Sequence, residues 1–447
     1  MLRVAAELGV RQLLHRGGKM AGAMVGVCVA IVLIFTQLGF QNALYDSATG
    51  IVRALDADIL ITGPTFKSWG DSPPWMNRAL VYEARGVPGV RSAAPLYSAA
   101  IQVASPRDGH GLASYLLAFS PQAPVFAGAD IAALAREVAL PDRLIMDRRS
   151  RGDFEVFRDA VQRRGEVEVT VLNATDTLQR LARVTGLFDL GPAFTIDGTM
   201  ITSDLNFYRL TSIPLDRVGV GVVRVEPGQD PKVVRDRLAA AFDGRARVFL
   251  KQDFIANEIA YYADDTPIGY IFRLGLIVGT VVGIVFISQA LHGVVSDNLK
   301  EYATLRAIGY QQNFFAAVVG AIALVLSVFA YVPSAFLAWG LYGLAAEASK
   351  LPLRMNLPDM AGIFVLTLIM AVAATLLAIG KIRKEHIIGE DGEVAERDMV
   401  KVTFTYDDRI ADGIYCGRAI DLLRSLVEAP SLLEAEPELA PEQLAEI

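Results

Sequence analysis

The stretch "MAGAMVGVCVAIVLIFTQLGFQNALY", Met20 to Tyr45, contains no Asp, Glu, Lys or Arg. At about 1.5 Å per helical residue it is long enough to cross a hydrocarbon core of roughly 30 Å. Leu274–Ser296, Ala307–Ala346 and Met360–Gly380 are uncharged in the same way. A hydrophobic share of 53% and a mean hydropathy of +0.38 agree with an integral membrane protein. The expected architecture is an α-helical membrane protein with four transmembrane helices, at residues 20–40, 274–292, 313–342 and 360–380. A large α+β extracytoplasmic domain, residues 41–273, is inserted between helices 1 and 2.

Arg11, Arg16 and Lys19 precede the first apolar run, as in a signal peptide. That run exceeds an h-region of about 15 residues and no small-x-small site follows promptly, so it reads as an uncleaved anchor. Within residues 1–19, Leu2, Ala6, Val10, Leu13 and Leu14 form one helical stripe and Arg3, Glu7, Arg11 and His15 another, the pattern of a cytoplasmic interfacial helix. Lys and Arg cluster before the first span, between the second and third (Lys300, Arg306) and after the fourth (Lys381, Arg383, Lys384). By the positive-inside rule both termini are cytoplasmic.

The external segment alternates strand and helix patterns at its two ends, with "ADILITG" and "WMNRALVYEARGV" near the start and "RVGVGVVRVEPG", "DPKVVRDRLAAAF" and "ARVFLKQ" near the end. The strand-rich middle reads as an inserted subdomain. The apolar stripes also continue past the membrane surface. Phe40, Leu44, Ala48, Ile51 and Leu55 step at helical intervals on one side, and Ile255, Ile259 and Tyr262 on the other. Both predict helices that project outward and pair as a stalk.

The third window, about 40 residues, is twice what a bilayer needs, and Pro333 offers a kink within it. Residues 343–359 form an outer loop, and residues 381–447 an acidic cytoplasmic tail. After Lys384 there are 16 Asp and Glu against 5 Lys and Arg, so the net −7 of the chain belongs to the tail. The tail has the composition of a loosely ordered extension with one short helix at "GRAIDLLRSLVEA".

Several chemistries are excluded by what the sequence lacks. There is no G-x-x-x-x-G-K-[ST], H-E-x-x-H or G-x-S-x-G. His15, His110, His292 and His386 are scattered, and Cys28 and Cys416 are far apart, so the spacing yields no metal-ligand set. The Asn173 sequon is too short a match to carry weight. No catalytic residue, cofactor or metal is expected in this chain, and no nucleic-acid partner. Arg273 stands at the outer lip of the second span, where its side chain is expected to snorkel to lipid headgroups.

Residues 293–312 surface between the second and third spans. In "SDNLKEYATLRAIGY", Ser296–Tyr310, Ser296 is the expected helix cap and Gly309 the stop. Tyr302, Leu305 and Ile308 share a face. A helix this short is not stable alone and must dock on something, and a separate protein is the natural partner.

This segment resembles the cytoplasmic coupling segment of the DevC-type permeases, members of the MacB/FtsX superfamily of ABC transporters. "TQLGFQNALYDSATGIVRALDADI" (Thr36–Ile59), "IMDRRSRGDF" (Ile145–Phe154), "NFYRL" (Asn206–Leu210), "KQDFIANEIAYYADDTPIGYIFRLG" (Lys251–Gly275) and "LPLRMNLP" (Leu351–Pro358) are similar to that family in order, from Met1 to about Lys384. The resemblance implies a homodimer in the bacterial inner membrane bound to a separate ABC ATPase, on which ATP and Mg act. It also implies a periplasmic adaptor of the HlyD/DevB kind and a TolC-like outer-membrane channel. Glu301, Tyr302, Leu305 and Gly309 take the ATPase-facing role from it. A lipoprotein-releasing permease and an FtsX-like signalling subunit are the alternatives. The long acidic end departs from the family pattern.

Overall fold

The computed structural model describes residues 17–70, 75–172, 179–191, 196–378, 383–388 and 394–399. The expected interfacial helix, the Asn173 sequon and the helix of the tail lie outside these residues. Among the described residues four helices are long and apolar enough to cross a membrane. They are α1 (Gly17–Ala54), α8 (Pro267–Asp297), α10 (Gln312–Ser349) and α11 (Leu357–Ala378). A nine-residue helix, α9 (Leu299–Ala307), links α8 to α10.

The four pack as a bundle around Val27, Ile31, Ile34 and Phe35 of α1, Ile287 and Leu291 of α8, Val318, Ile322 and Leu326 of α10, and Met370 and Ala374 of α11. α1 and α8 approach closely because Gly275, Gly279 and Gly283 fall every fourth residue on α8. A Cβ at Gly279 would lie 3.1 Å from Ile34, and one at Gly283 would strike Met370. Small residues at such a spacing let helix backbones come together where lipid offers no hydrophobic drive. Pro333 sits inside α10, whose helical assignment continues through it. Its neighbour Ser334 donates to the Ala330 carbonyl at 2.6 Å and also reaches the Cys28 carbonyl of α1 at 3.3 Å. A side-chain hydroxyl of this kind is what makes proline tolerable in a membrane helix.

The sheet domain lies in sequence between α1 and α8. Its strands are β1 (Ile59–Thr62), β2 (Met76–Asn77), β3 (Val90–Ala104), β4 (Gly111–Phe119), β5 (Arg143–Asp147), β6 (Val167–Leu172), β7 (Gln179–Phe188), β8 (Gly198–Ser203), β9 (Arg217–Val218), β10 (Val220–Val225) and β11 (Arg247–Leu250). Nine of them hydrogen-bond in the order β11-β1-β10-β3-β4-β8-β5-β7-β6, and β6 pairs again with the far end of β3 through Gln102↔Leu172. The expected division into an outer subdomain and a separate inserted one is therefore revised. β3, fifteen residues long, belongs to both: its first half pairs with β10 and its second with β6. The sequence "VRSAAPLYSAAIQVA" shows the change of environment, continuously buried from Ala93 to Ala99 and alternating towards its end.

Helices cover both faces of this sheet. On one, α2 (Arg78–Ala84) starts where the Asn77 side chain accepts from the Ala79 N–H at 2.8 Å, and α6 (Pro231–Phe242) starts where Asp230 accepts from Lys232 at 2.9 Å. α4 (Phe154–Arg164) and α5 (Asp204–Thr211) complete the layer. On the other face α3 (Ala129–Val138), α7 (Lys251–Ala260) and the last two turns of α1 enclose a second core with Ile51, Val52, Leu55, Leu96, Phe119, Phe126 and Phe254. Separately, β12 (Arg383–Ile388) and β13 (Val394–Met399) form an antiparallel hairpin within the tail, where the sequence suggested no strand.

The Gly279 contact yields a direct test. Gly279→Leu pushes α1 off α8 and should cost about 1–3 kcal/mol, read as a lower thermal midpoint of the full chain in lipid nanodiscs. Gly293→Leu, on the same helix where a Cβ meets nothing within 4 Å, should leave the midpoint unchanged.

Candidate functional site

Two places stand out as candidates: the turn at α9, and the junction where α1 and α7 meet the sheet domain. At the first, α8 does not stop at Ser296. It runs through Asp297, and the break falls at Asn298, whose φ of −112° and ψ of 17° leave the helical region. Asn298 holds this corner by donating Nδ2 to the Val294 carbonyl at 2.8 Å, while its own carbonyl accepts from Tyr302 N at 3.1 Å. The expected cap is thus displaced by two residues, because the Asn298 side chain, bonded back to Val294, turns the chain there. Gly309 ends the unit as expected, at φ +107°, with Tyr310 N donating back to the Leu305 carbonyl at 3.2 Å.

The face expected to meet a partner is divided. Tyr302 and Leu305 turn inward onto the bundle, and Tyr302 meets Phe315 edge to face at 5.8 Å between centroids. Ile308, at 71% exposed, and Leu299, at 59%, point outward. Glu301 and Gly309 are also on the exposed side. A period of three residues along so short a helix walks off one face, which is why Ile308 separates from Tyr302 and Leu305.

At the second place, α1 is one unbroken helix that passes from the bundle core to the domain core. Leu44, Ile51 and Leu55 are buried, Ala48 is half-buried, and Phe40 packs against Ala43, Tyr342, Leu351 and Leu353. α1 and α7 lie side by side. Lys251, the first residue of α7, donates Nζ to the Arg53 and Leu55 carbonyls at 3.0 and 2.7 Å, placing a cation on the C-terminal end of α1. Burial lowers the Lys251 pKa, and Asp56 and Asp58 oppose that.

The expected second stalk helix is not continuous. α7 gives way to a π turn over Tyr261–Asp265, then to extended Thr266, before Pro267 starts α8. Arg273, read from the sequence as reaching for headgroups, instead donates to the Ala263 carbonyl and pairs with Asp264 at 3.0 Å, so it braces this break. Ile255 and Ile259 are half-buried at the side of α7, and its fully covered line is Phe254, Glu258 and Tyr262. Glu258 went unread in the sequence because an isolated Glu in a polar helix gives no sign of burial. It accepts from Ser68 Oγ at 2.8 Å and Trp69 N at 2.9 Å, fixing α7 to the loop after β1. Burial pushes its pKa up to about 7, against the lowering effect of those two donors.

Elsewhere Asp108, His110 and Asp153 bring ligand-type atoms within 4.8 Å of one another, a grouping the spacing did not reveal. Arg107 pairs with Asp153 at 2.9 Å and Ser105 donates to it at 2.6 Å, so Asp153, directly before α4, is tied to the β3–β4 turn by partners of its own.

Because the folded-state value of Glu258 lies above its ordinary 4.5, its contribution to stability is fully present below pH 4.5 and is lost as pH rises through about 7. The loss is on the order of 3 kcal/mol. Glu258→Gln should flatten the fall in thermal midpoint between pH 5 and 8; an unchanged slope would place its origin in other groups.

Residues 273–387 match the model of the FtsX-like permease C-terminal domain, a range that takes in most of α8 and all of α9 to α11. A second model, the catalytic domain of 2-oxoacid dehydrogenase acyltransferases, matches residues 356–435, whose first part is the apolar α11 with Asp359 as its one ionisable side chain. No curated relative matches the chain. Among solved structures, the periplasmic region of MacB from Actinobacillus actinomycetemcomitans is similar at 11% identity and TM-score 0.29, covering 45% of this chain and 92% of that one. The extracellular domain of the noncanonic ABC-type transporter YknZ from Gram-positive bacteria gives 11% identity and TM-score 0.28 over 43% of this chain and all of that one. A domain of a Porphyromonas gingivalis permease protein gives 14% and 0.27 over 42% of this chain and 87% of that one. Residues 273–387, which carry three of the four membrane-length helices, are thus similar to the FtsX-like permeases.

Proposed function

We propose that this chain is the membrane-spanning permease subunit of an ABC-type exporter, powered by a separate ATPase that carries ATP and Mg. The observation that carries the reading is the exposed α9 turn, held at the end of the bundle opposite the sheet domain within a segment that matches the FtsX-like permeases. The ATPase docks on the outward face of α9, chiefly Leu299, Glu301 and Ile308. Tyr302 and Leu305 anchor α9 to the bundle, so that force applied to the turn reaches the spans.

The spans then drive the sheet domain through α1. In this reading the α9 end is cytoplasmic and the sheet domain periplasmic, in a bacterial inner membrane. A second copy completes a homodimer, and the domain works on a HlyD/DevB-like adaptor and a TolC-like channel. The DevC subtype rests on the sequence blocks quoted above. A lipoprotein-releasing permease and an FtsX-like signalling subunit use the same levers without the channel.

The division of the α9 face sets the test. Ile308→Asp alters only the outward surface. It should leave insertion and thermal midpoint intact while abolishing retention of the cognate ATPase, since burying an unpaired carboxylate costs several kcal/mol. Leu305→Asp should instead lower the midpoint of the permease by itself. If the Ile308→Asp complex keeps its ATPase and its stimulated ATP turnover, α9 is a chain reversal and not a docking element.

A further inference from the structure

Three separate parts of the chain converge just beyond the membrane on the sheet-domain side. Arg53 comes from the last turn of α1, Arg149 from the loop after β5, and Lys350 and Arg354 from the segment between α10 and α11. With Asp46 and Gly191 they line a cavity of about 220 Å³. Asp46 is the only acid in this lining and pairs with Arg53 at 3.2 Å, while Arg149 pairs with Asp189 at 2.5 Å. Among the described residues Lys350 and Arg354 meet no carboxylate. Two cations are therefore left in excess, facing a space with room for several waters or one tetrahedral anion.

The cations are set in place by fixed backbone. Asp147, fully buried at the end of β5, accepts from Arg149 N at 3.0 Å and Leu190 N at 3.4 Å, so one carboxylate gathers both loops that shape the cavity wall. Burial pushes the Asp147 pKa up to about 6, although the Arg149, Leu190 and Gly191 N–H groups all favour its charge. Gly191 has φ +97°, and a Cβ there would come within 3.6 Å of the Arg149 guanidinium carbon, so the guanidinium lies over the glycine. Lys350 ends α10 in the left-handed region at φ +56°, its N–H donating to Ala346 at 2.9 Å.

The level of the cavity narrows what reaches it. A core of roughly 30 Å takes about 20 residues of α1, from Met20 to about Phe40. Asp46 and Arg53 stand about 9 and 20 Å beyond that boundary at 1.5 Å per residue. The lower edge of the cavity is thus at the headgroup layer and its upper edge faces water.

We propose that this cavity binds a phosphate group. Planar guanidinium forks match phosphate oxygens in pairs, and an ammonium adds a point charge, which is the combination Arg53, Arg149, Arg354 and Lys350 supply. The phosphate is that of an anionic lipid headgroup entering from below or a free phosphate entering from above. In either case it joins α1, the β5 loop and the α10–α11 segment through one ligand. The inference goes beyond the transport reading and does not depend on it.

The test uses the purified full chain in nanodiscs, with tryptophan fluorescence reporting the thermal midpoint. One arm compares phosphatidylcholine discs with discs containing phosphatidylglycerol. The other titrates inorganic phosphate into phosphatidylcholine discs at constant ionic strength, balanced with chloride. A headgroup source predicts a higher midpoint in phosphatidylglycerol discs that K350E/R354E abolishes. A free source predicts a saturable rise with inorganic phosphate, at least about tenfold weaker in the double variant, as expected for loss of charge-assisted hydrogen bonds. Both side chains are exposed, and R354Q alone serves if the charge reversal disturbs folding. Equal responses of wild type and variants in both arms, including no response, overturn the proposal.

Discussion

Because α1 is one run of hydrogen-bonded turns from Gly17 to Ala54, about 57 Å at 1.5 Å per residue, its two ends cannot be displaced independently. Its lower half supplies Val27, Ile31, Ile34 and Phe35 to the bundle core, and its upper end supplies Ile51, Val52 and Leu55 to the domain core. Taking Ile51, Val52 and Leu55 out of water is worth about 1.5–3 kcal/mol each, whereas the bundle contacts, made in lipid, hold by close packing. Pulling α1 out of the domain core therefore costs several kcal/mol, and tilting it carries both cores along. The Lys251 ammonium on its last carbonyls adds a polar lock where the apolar contacts end.

The return path is built differently. Between α7 and α8 the chain inserts a π turn, an extended threonine and a proline. Such interruptions weaken the regular hydrogen-bond ladder and mark places where a helix bends. Arg273 and Thr266 re-satisfy the freed carbonyls, the latter by donating to Tyr262 at 2.8 Å. One connection between membrane and domain is thus a rod and the other a braced joint. With two rods the domain would be held square to the bundle; with a rod and a joint, one direction of tilt is soft.

How much of this was legible follows from which signals are local. The absence of charge over Met20–Tyr45 and the three other windows marked the membrane helices directly, since one ionic group in hydrocarbon costs several kcal/mol. The stripe Leu44, Ile51, Leu55 was legible because a helix repeats its buried face. The seam opposite was not: the buried line runs through Glu258, whose carboxylate is bonded by Ser68 and Trp69, rather than through Ile255 and Ile259. The α9 corner was misplaced by two residues because Asn298 turns the chain through its own side chain. The three-glycine spacing on α8 was present in the sequence, but what it packs against is a tertiary fact. The union of the two halves of the sheet runs through β4 and β8, with Leu116 beside Met200, a parallel pairing no periodicity encodes.

The placement of β1 carries a consequence for how the chain is made. Ile59 pairs with Val223 on one side and Leu250 on the other, so the first strand of the domain has no neighbour until Val223 has emerged and lacks its second until Leu250. Contacts this distant in sequence form late and slowly. Throughout that interval the core over Ile51, Val52 and Leu55 lacks Val220, Val222 and Phe254, which complete it. The nascent domain is thus most vulnerable to misassociation beside the bilayer itself, and stays so until synthesis passes Leu250.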